Sequence, residues 1–158
     1  SLKQYVMIVA PHTSNWDFFV GLAARSILEI DTKYVAKKEL FRFPFGWIFR
    51  SLGGFPVDRS KNNNFVDAVA DLFNDHDRFS ICITPEGTRS YAPKWKTGFY
   101  YIAQKANIPV VMVAFDYGRK EVKVEAPYYL TGDMDKDIEF MLAYYRNVKG
   151  KFPEKGIR

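Results

Sequence analysis

The stretch Tyr5-Val-Met-Ile-Val-Ala-Pro-His-Thr-Ser-Asn-Trp-Asp17 holds the handover on which the fold depends. Residues 5–10 are an unbroken apolar, β-branched run, the pattern of a buried strand. Pro11 ends it. Thr13, Ser14 and Asn15 are all residue types that cap helices, and an apolar helical pattern follows to about Ile30. A buried strand passing through a short polar turn into a helix is the unit from which α/β sheets are built.

Working outward, the alternation continues. Lys33–Lys37 reads as a second strand. Phe41–Leu52 is aromatic and basic and breaks at Gly53-Gly54, and Phe55-Pro-Val57 is a brief extended piece. Asn62-Asn-Asn64 opens a helix with apolar residues at Phe65, Val66, Val69, Leu72 and Phe73. Phe79–Ile83 is a strand closed by Pro85 and Gly87. A helix from Thr97 or Gly98 to about Asn107 leads to a buried strand over Pro109–Phe115. Val122–Ala126 reads as an edge strand, and Asp133 to about Val148 as a closing amphipathic helix. The expected fold is a single α/β domain over residues 1–158. Its central sheet is mixed, mostly parallel, with helices on both faces.

Composition narrows the classes. The 158 residues suit one domain, and no repeat or linker divides them. One cysteine excludes a disulfide scaffold and a cysteine-built zinc site. No apolar run approaches the roughly 20 residues of a membrane-spanning helix. The net charge is +5 and aromatic residues make up 17%, so a basic, ring-rich surface is expected.

Chemistry is expected where strands hand over to loops. In Pro11–Asp17, the Asp17 carboxylate can reach back across the helix start to His12. An Asp accepting from Nδ1–H fixes the tautomer and leaves Nε2 as a general base. The same segment also reads as a capped helix start with an acid at its positive end. In Thr84-Pro-Glu-Gly-Thr-Arg-Ser90, Gly87 permits close backbone approach to a ligand, Arg89 offers a planar fork for phosphate, and Glu86 can pair with it or hold a hydroxyl. A strand-end turn with a surface ion pair is the plainer reading. Gly53–Arg59 adds a second arginine after two glycines, and Ile108–Val113 reads as core strand.

At these four segments the sequence resembles the glycerolipid acyltransferases of the lysophosphatidate acyltransferase type. His12 and Asp17 match the first block, Gly53 to Arg59 the second, Pro85-Glu-Gly-Thr-Arg89 the third and Ile108 to Val113 the fourth, in the family's order. The chain departs from the family pattern at Pro11, Pro56, Thr84 and Met112. The resemblance implies transfer of a fatty acyl chain from a thioester donor, acyl-CoA or acyl carrier protein, to the hydroxyl of a lysophospholipid such as 1-acylglycerol-3-phosphate. His12 would be the base and Asp17 would orient it, with no acyl-enzyme. Arg59 and Arg89 would bind the acceptor phosphate in a pocket shaped by Glu86, Gly87 and Thr88. Neither a metal nor a bound cofactor is implied. The lone Cys82 lies inside an apolar strand and no Gly-x-Ser-x-Gly elbow exists, which agrees. Because eleven residues precede His12, the resemblance implies a compact variant or a chain without an N-terminal helical or membrane segment.

Residues 33–61 carry seven basic residues against two acidic ones, which equals the whole chain's excess. With lipid substrates implied, Phe41, Arg42, Phe45, Trp47 and Arg50 are the expected contacts to an anionic membrane. The expected location is cytoplasmic, peripheral on the inner face. An acidic acyl carrier protein would suit the same patch; no nucleic-acid motif is present. Two rivals remain at this stage: an acyltransferase with a non-phosphorylated lipid acceptor, and a catalytically silent lipid-binding module.

Overall fold

An unbroken apolar run of six residues, as at 5–10 and 110–115, belongs in a strand covered on both sides. β1 (Gln4–Ala10) and β5 (Val110–Asp116) hold these runs, and they pair in parallel, with Val6 opposite Val110 and Ala10 opposite Ala114. The computed structural model describes residues 2–37, 42, 44, 46–57 and 62–158. In it β2 (Lys33–Lys37), β3 (Gly54–Val57), β4 (Phe79–Ile83) and β6 (Glu121–Val124) complete a sheet of order β3-β2-β4-β1-β5-β6. All pairings are parallel except that of β6, which runs antiparallel to β5 at the edge.

Alternate residues of the central strands feed two cores. Val6, Ile8, Val110 and Met112 face the larger one. It is closed by α3 (Asn62–Asn74) through Val69 and Phe73, α4 (Gly98–Ala106) through Phe99 and Ile102, and α5 (Met134–Tyr145) through Met141 and Tyr145. Asp137 ties this layer together. It is fully buried and accepts from the hydroxyls of Tyr100 (2.9 Å), Tyr128 (2.7 Å) and Thr131 (2.8 Å). Burial pushes its carboxyl up, but these donors outweigh that and hold it below the usual aspartate value.

The opposite face holds Met7, Val9, Val111, Val113 and Phe115, with Val20 of α1 (Trp16–Ile27) packed against them. Helices thus lie on both faces, as expected. Yet α1 buries a single residue, Asp17, while Trp16, Phe19 and Ile27 are 58%, 59% and 80% exposed. The helix stands off the sheet and leaves a space beneath it.

Some boundaries differ from the sequence reading. α1 stops at Ile27 rather than near Ile30, because Glu29 turns to a left-handed φ of 51° and Ile30 N–H closes onto the Arg25 carbonyl. The aromatic stretch Phe41–Leu52 contains a short helix, α2 (Gly46–Ser51).

Candidate active site

β1, β4 and β5 lie side by side and parallel, so their C-terminal loops meet at one edge of the sheet. His12 leaves β1 two residues past its end, half-buried. Its Nδ1 lies 3.0 Å from Asp17 Oδ2, a geometry that suits Nδ1–H donating to the carboxylate; in that neutral tautomer Nε2 carries the free lone pair. The same Oδ2 accepts from the Thr13 and Ser14 amides at 2.9 and 3.0 Å, so the acid in the first turn of α1 folds back over its own loop. Oδ1 accepts from the Tyr117 hydroxyl at 2.7 Å. Burial pushes the Asp17 carboxyl up; the bonds from His12, Tyr117 and the two amides outweigh it and hold the group below the usual aspartate value. Tyr117 had no sequence signal. It follows β5 by one residue, and the register of Ala10 against Ala114 brings it to the His12 loop.

Glu86 sits behind that loop. It is 3% exposed, and its Oε2 accepts from the His12 backbone N–H at 2.6 Å. Burial pushes the carboxyl up to about 7, against the pull of that N–H. No ion pair joins it to Arg89 among the described residues. Gly87 has a φ of 64°, and a Cβ there would fall 2.8 Å from Lys96 Cδ, so the Lys96 side chain crosses the glycine. Lys96 is a second cation beside Arg89 that the sequence did not single out. Thr88 is exposed, with its hydroxyl accepting from Ser90 N–H.

A cavity of about 1050 Å³ opens at His12 and runs beneath α1. Met7, Val9, Val113 and Phe115 floor it, and Leu22 and Ala24 roof it. Gly87, Arg89 and Lys96 line it too, whereas Glu86 and Thr88 do not. Arg25, eight residues along α1 from Asp17 and so roughly 12 Å away, also lines it and donates to the Leu52 carbonyl at 2.7 Å. Cys82 faces the same space, but burial pushes its thiol up to about 12, which leaves it protonated and inert as a nucleophile. Among the described residues no three of His, Cys, Asp and Glu gather to hold a metal ion, and no helix is long and apolar enough to cross a membrane.

Arg59, Phe41 and Phe45 lie outside the described residues. Arg42, Trp47 and Arg50 are exposed, Trp47 by 69%, and none of them lines the cavity.

A family model described as Acyltransferase matches residues 2–116, a span that contains every element from β1 to β5. The chain belongs to the Acyltransferase family. Among its relatives, the 1-acyl-sn-glycerol-3-phosphate acyltransferase of Saccharomyces cerevisiae is 33% identical over 119 residues, 70% of this chain and 38% of that protein. The protein of the same name from Streptococcus pneumoniae is 31% identical over 112 residues, 69% of this chain and 40% of that one. This acyltransferase-family chain therefore spans about two fifths of either relative's length. Its fold resembles the crystal structure of the 1-acyl-sn-glycerophosphate (LPA) acyltransferase PlsC from Thermotoga maritima. The TM-score is 0.59 at 21% identity, covering 87% of this chain and 63% of that one.

Proposed function

We propose that the protein moves a fatty acyl chain from a thioester, acyl-CoA or acyl carrier protein, to the hydroxyl of a lysophospholipid such as 1-acylglycerol-3-phosphate. The observation that carries this is the His12 Nδ1–Asp17 Oδ2 pair at 3.0 Å, set at the mouth of an apolar cavity. Nε2 of His12 takes the acceptor's hydroxyl proton as its oxygen attacks the thioester carbonyl. The C–O bond forms, the tetrahedral intermediate collapses, and the C–S bond breaks. The departing sulfur then takes the proton back from Nε2, so the products are the ester and a free thiol. Asp17 keeps the imidazole in the required tautomer and stabilises its cationic form. Glu86 and Tyr117 hold that pair in place from below and from the side.

The apolar trough beneath α1 suits an acyl chain. Arg89 and Lys96 suit the acceptor phosphate, with Gly87 leaving room for the Lys96 side chain to cross and Arg59 as a further candidate. Exposed Phe18 and Phe19 of α1, together with Arg42, Trp47 and Arg50, suit peripheral attachment to an anionic lipid surface.

The test is thiol release from a long-chain acyl-CoA or acyl carrier protein, with and without lysophosphatidate, for the wild type and His12→Ala. Acceptor-dependent release that disappears in the variant is expected. Near-normal release by His12→Ala would remove the base from this reading. Equal release to a lipid alcohol without phosphate would favour the non-phosphorylated acceptor, and no release with any donor or acceptor would favour a silent lipid-binding module.

A further inference from the structure

The segment after α5, residues 149–158, lies outside the span matched by the family model, yet it walls the catalytic loop. Tyr117 N–H donates to the Lys149 carbonyl at 2.8 Å, and Phe152 N–H donates to the buried Thr13 hydroxyl at 3.2 Å. Between them, a Cβ on Gly150 would fall 2.8 Å from Thr13 Oγ1 and Cγ2, so the backbone passes too close for any side chain. This segment and the loop enclose a second cleft of about 360 Å³, lined by Asn15, Trp16, Arg89, Phe152 and Lys155 among others. Asn15 and Arg89 also line the cavity that holds His12, so the two spaces share a wall at the reacting end.

Both spaces are lined mainly by apolar surface, but at the cleft and the segment beside it cations lie directly over exposed rings. Lys151 Nζ lies 4.8 Å from the Trp16 ring centroid, Lys155 Nζ lies 4.7 Å from that of Phe152, and the Arg158 guanidinium lies 4.4 Å from that of Tyr91. Trp16 is 58% exposed, and Phe152 and Tyr91 are each 40% exposed. Among the described residues no carboxylate pairs with Lys151 or Lys155. Exposed rings with cations drawn over them suit a flat heterocyclic base that carries phosphates: the base takes the cation's place against a ring and the phosphates hold the cation beside it. A lysophospholipid has phosphate but no base, and the phosphopantetheine of a carrier protein has no base either. Coenzyme A has both, at the end of an arm whose sulfur must lie at His12.

We infer that this cleft, with Trp16, Phe152 and the cations of residues 151–158, binds the phosphoadenosine end of a coenzyme A thioester. The inference rests on the acyl-transfer reading and narrows it to one donor. Its test uses Lys155→Gln, which removes the charge over Phe152 and keeps a polar side chain, and Phe152→Ala, which keeps the backbone bond to Thr13. Each should raise KM for acyl-CoA about tenfold, the loss of one stacking or charged contact of about 1.4 kcal/mol. KM for lysophosphatidate should stay within about twofold, on the same tenfold-per-1.4 kcal/mol scale. Adenosine 3′,5′-bisphosphate should compete with acyl-CoA in the wild type and lose potency by a similar factor in both variants. A rise in the acceptor's KM instead would assign the cleft to the lysolipid phosphate and overturn the inference. So would unchanged constants, or a wild type that uses acyl carrier protein but not acyl-CoA. Failure of the acyl-transfer reading looks different, since no donor would then support His12-dependent release.

Discussion

Tyr117→Phe tests whether the hydroxyl at Asp17 Oδ1 holds the reacting pair or merely fills space. The substitution removes one oxygen and leaves the ring. Oδ1 has no other donor among the described residues, while Oδ2 keeps three: His12 Nδ1 and the Thr13 and Ser14 amides. A hydrogen bond to a charged group is worth about 1.5–3 kcal/mol, and leaving a buried acceptor unsatisfied costs a similar amount. With Asp17 only 4% exposed, a loss of about 2 kcal/mol follows. For a domain of this size that lowers the melting temperature by roughly 4–8 °C. The sign with pH is fixed by the direction of the Asp17 shift. Its folded pKa lies below the usual 3.8, so the bond contributes stability that is full at neutral pH and fades as pH falls through the folded value. The melting deficit of the variant should therefore shrink toward acid. Tyr117 does not line the cavity, so both KM values should hold. The carboxylate, freed on one side, should orient His12 less well, and kcat should fall about tenfold, or about 1.4 kcal/mol. Steady-state kinetics and thermal melts between neutral and acid pH read both effects. A variant with wild-type kcat, or one whose loss falls on KM instead, would refute the positioning role of Tyr117.

Glu86→Gln should change the pH dependence of stability. A carboxyl with a folded pKa of about 7, against 4.5 when free, keeps its proton preferentially in the folded state, so the wild type should lose stability as pH rises from 4.5 to 7. The glutamine oxygen can still take the His12 N–H, and the variant's melting curve should be flatter over that interval; parallel curves would count against the buried-acid account. Gly87→Ala places a side chain at a φ of 64° and pushes Lys96 aside. It should cost about 1–2 kcal/mol of stability and weaken use of a phosphorylated acceptor more than use of the donor, which paired KM measurements would show.

The order of elements was legible because strands covered on both faces appear as uninterrupted apolar runs, and here they alternate with capped helical patterns. α2 escaped because six residues rich in rings show no periodicity. The His12–Asp17 pair was legible because its members are five residues apart and share a helix start. Tyr117 was not, since it lies 100 residues from Asp17 and only the parallel β1–β5 register brings them together. The family resemblance puts Glu86 in the acceptor pocket, and its contact with the His12 amide has no signal in the sequence. Pairing of Ile8 with Ile83 brings its carboxylate there. Lys96, Phe152 and Lys155 carried no signal, because a lysine or phenylalanine at a loop surface looks the same in sequence whether or not it faces a cleft.

The helix that carries Asp17 is also the roof of the apolar trough, and it buries almost nothing of its own. A hydrocarbon chain in that trough would supply the packing that α1 lacks, at about 0.8 kcal/mol per methylene buried. Occupancy of the trough and alignment of the carboxylate at the helix's first turn are then one equilibrium. Shortening the acyl chain should therefore slow turnover at saturation and not only weaken binding, because a short chain leaves the roof, and the acid it carries, loosely held.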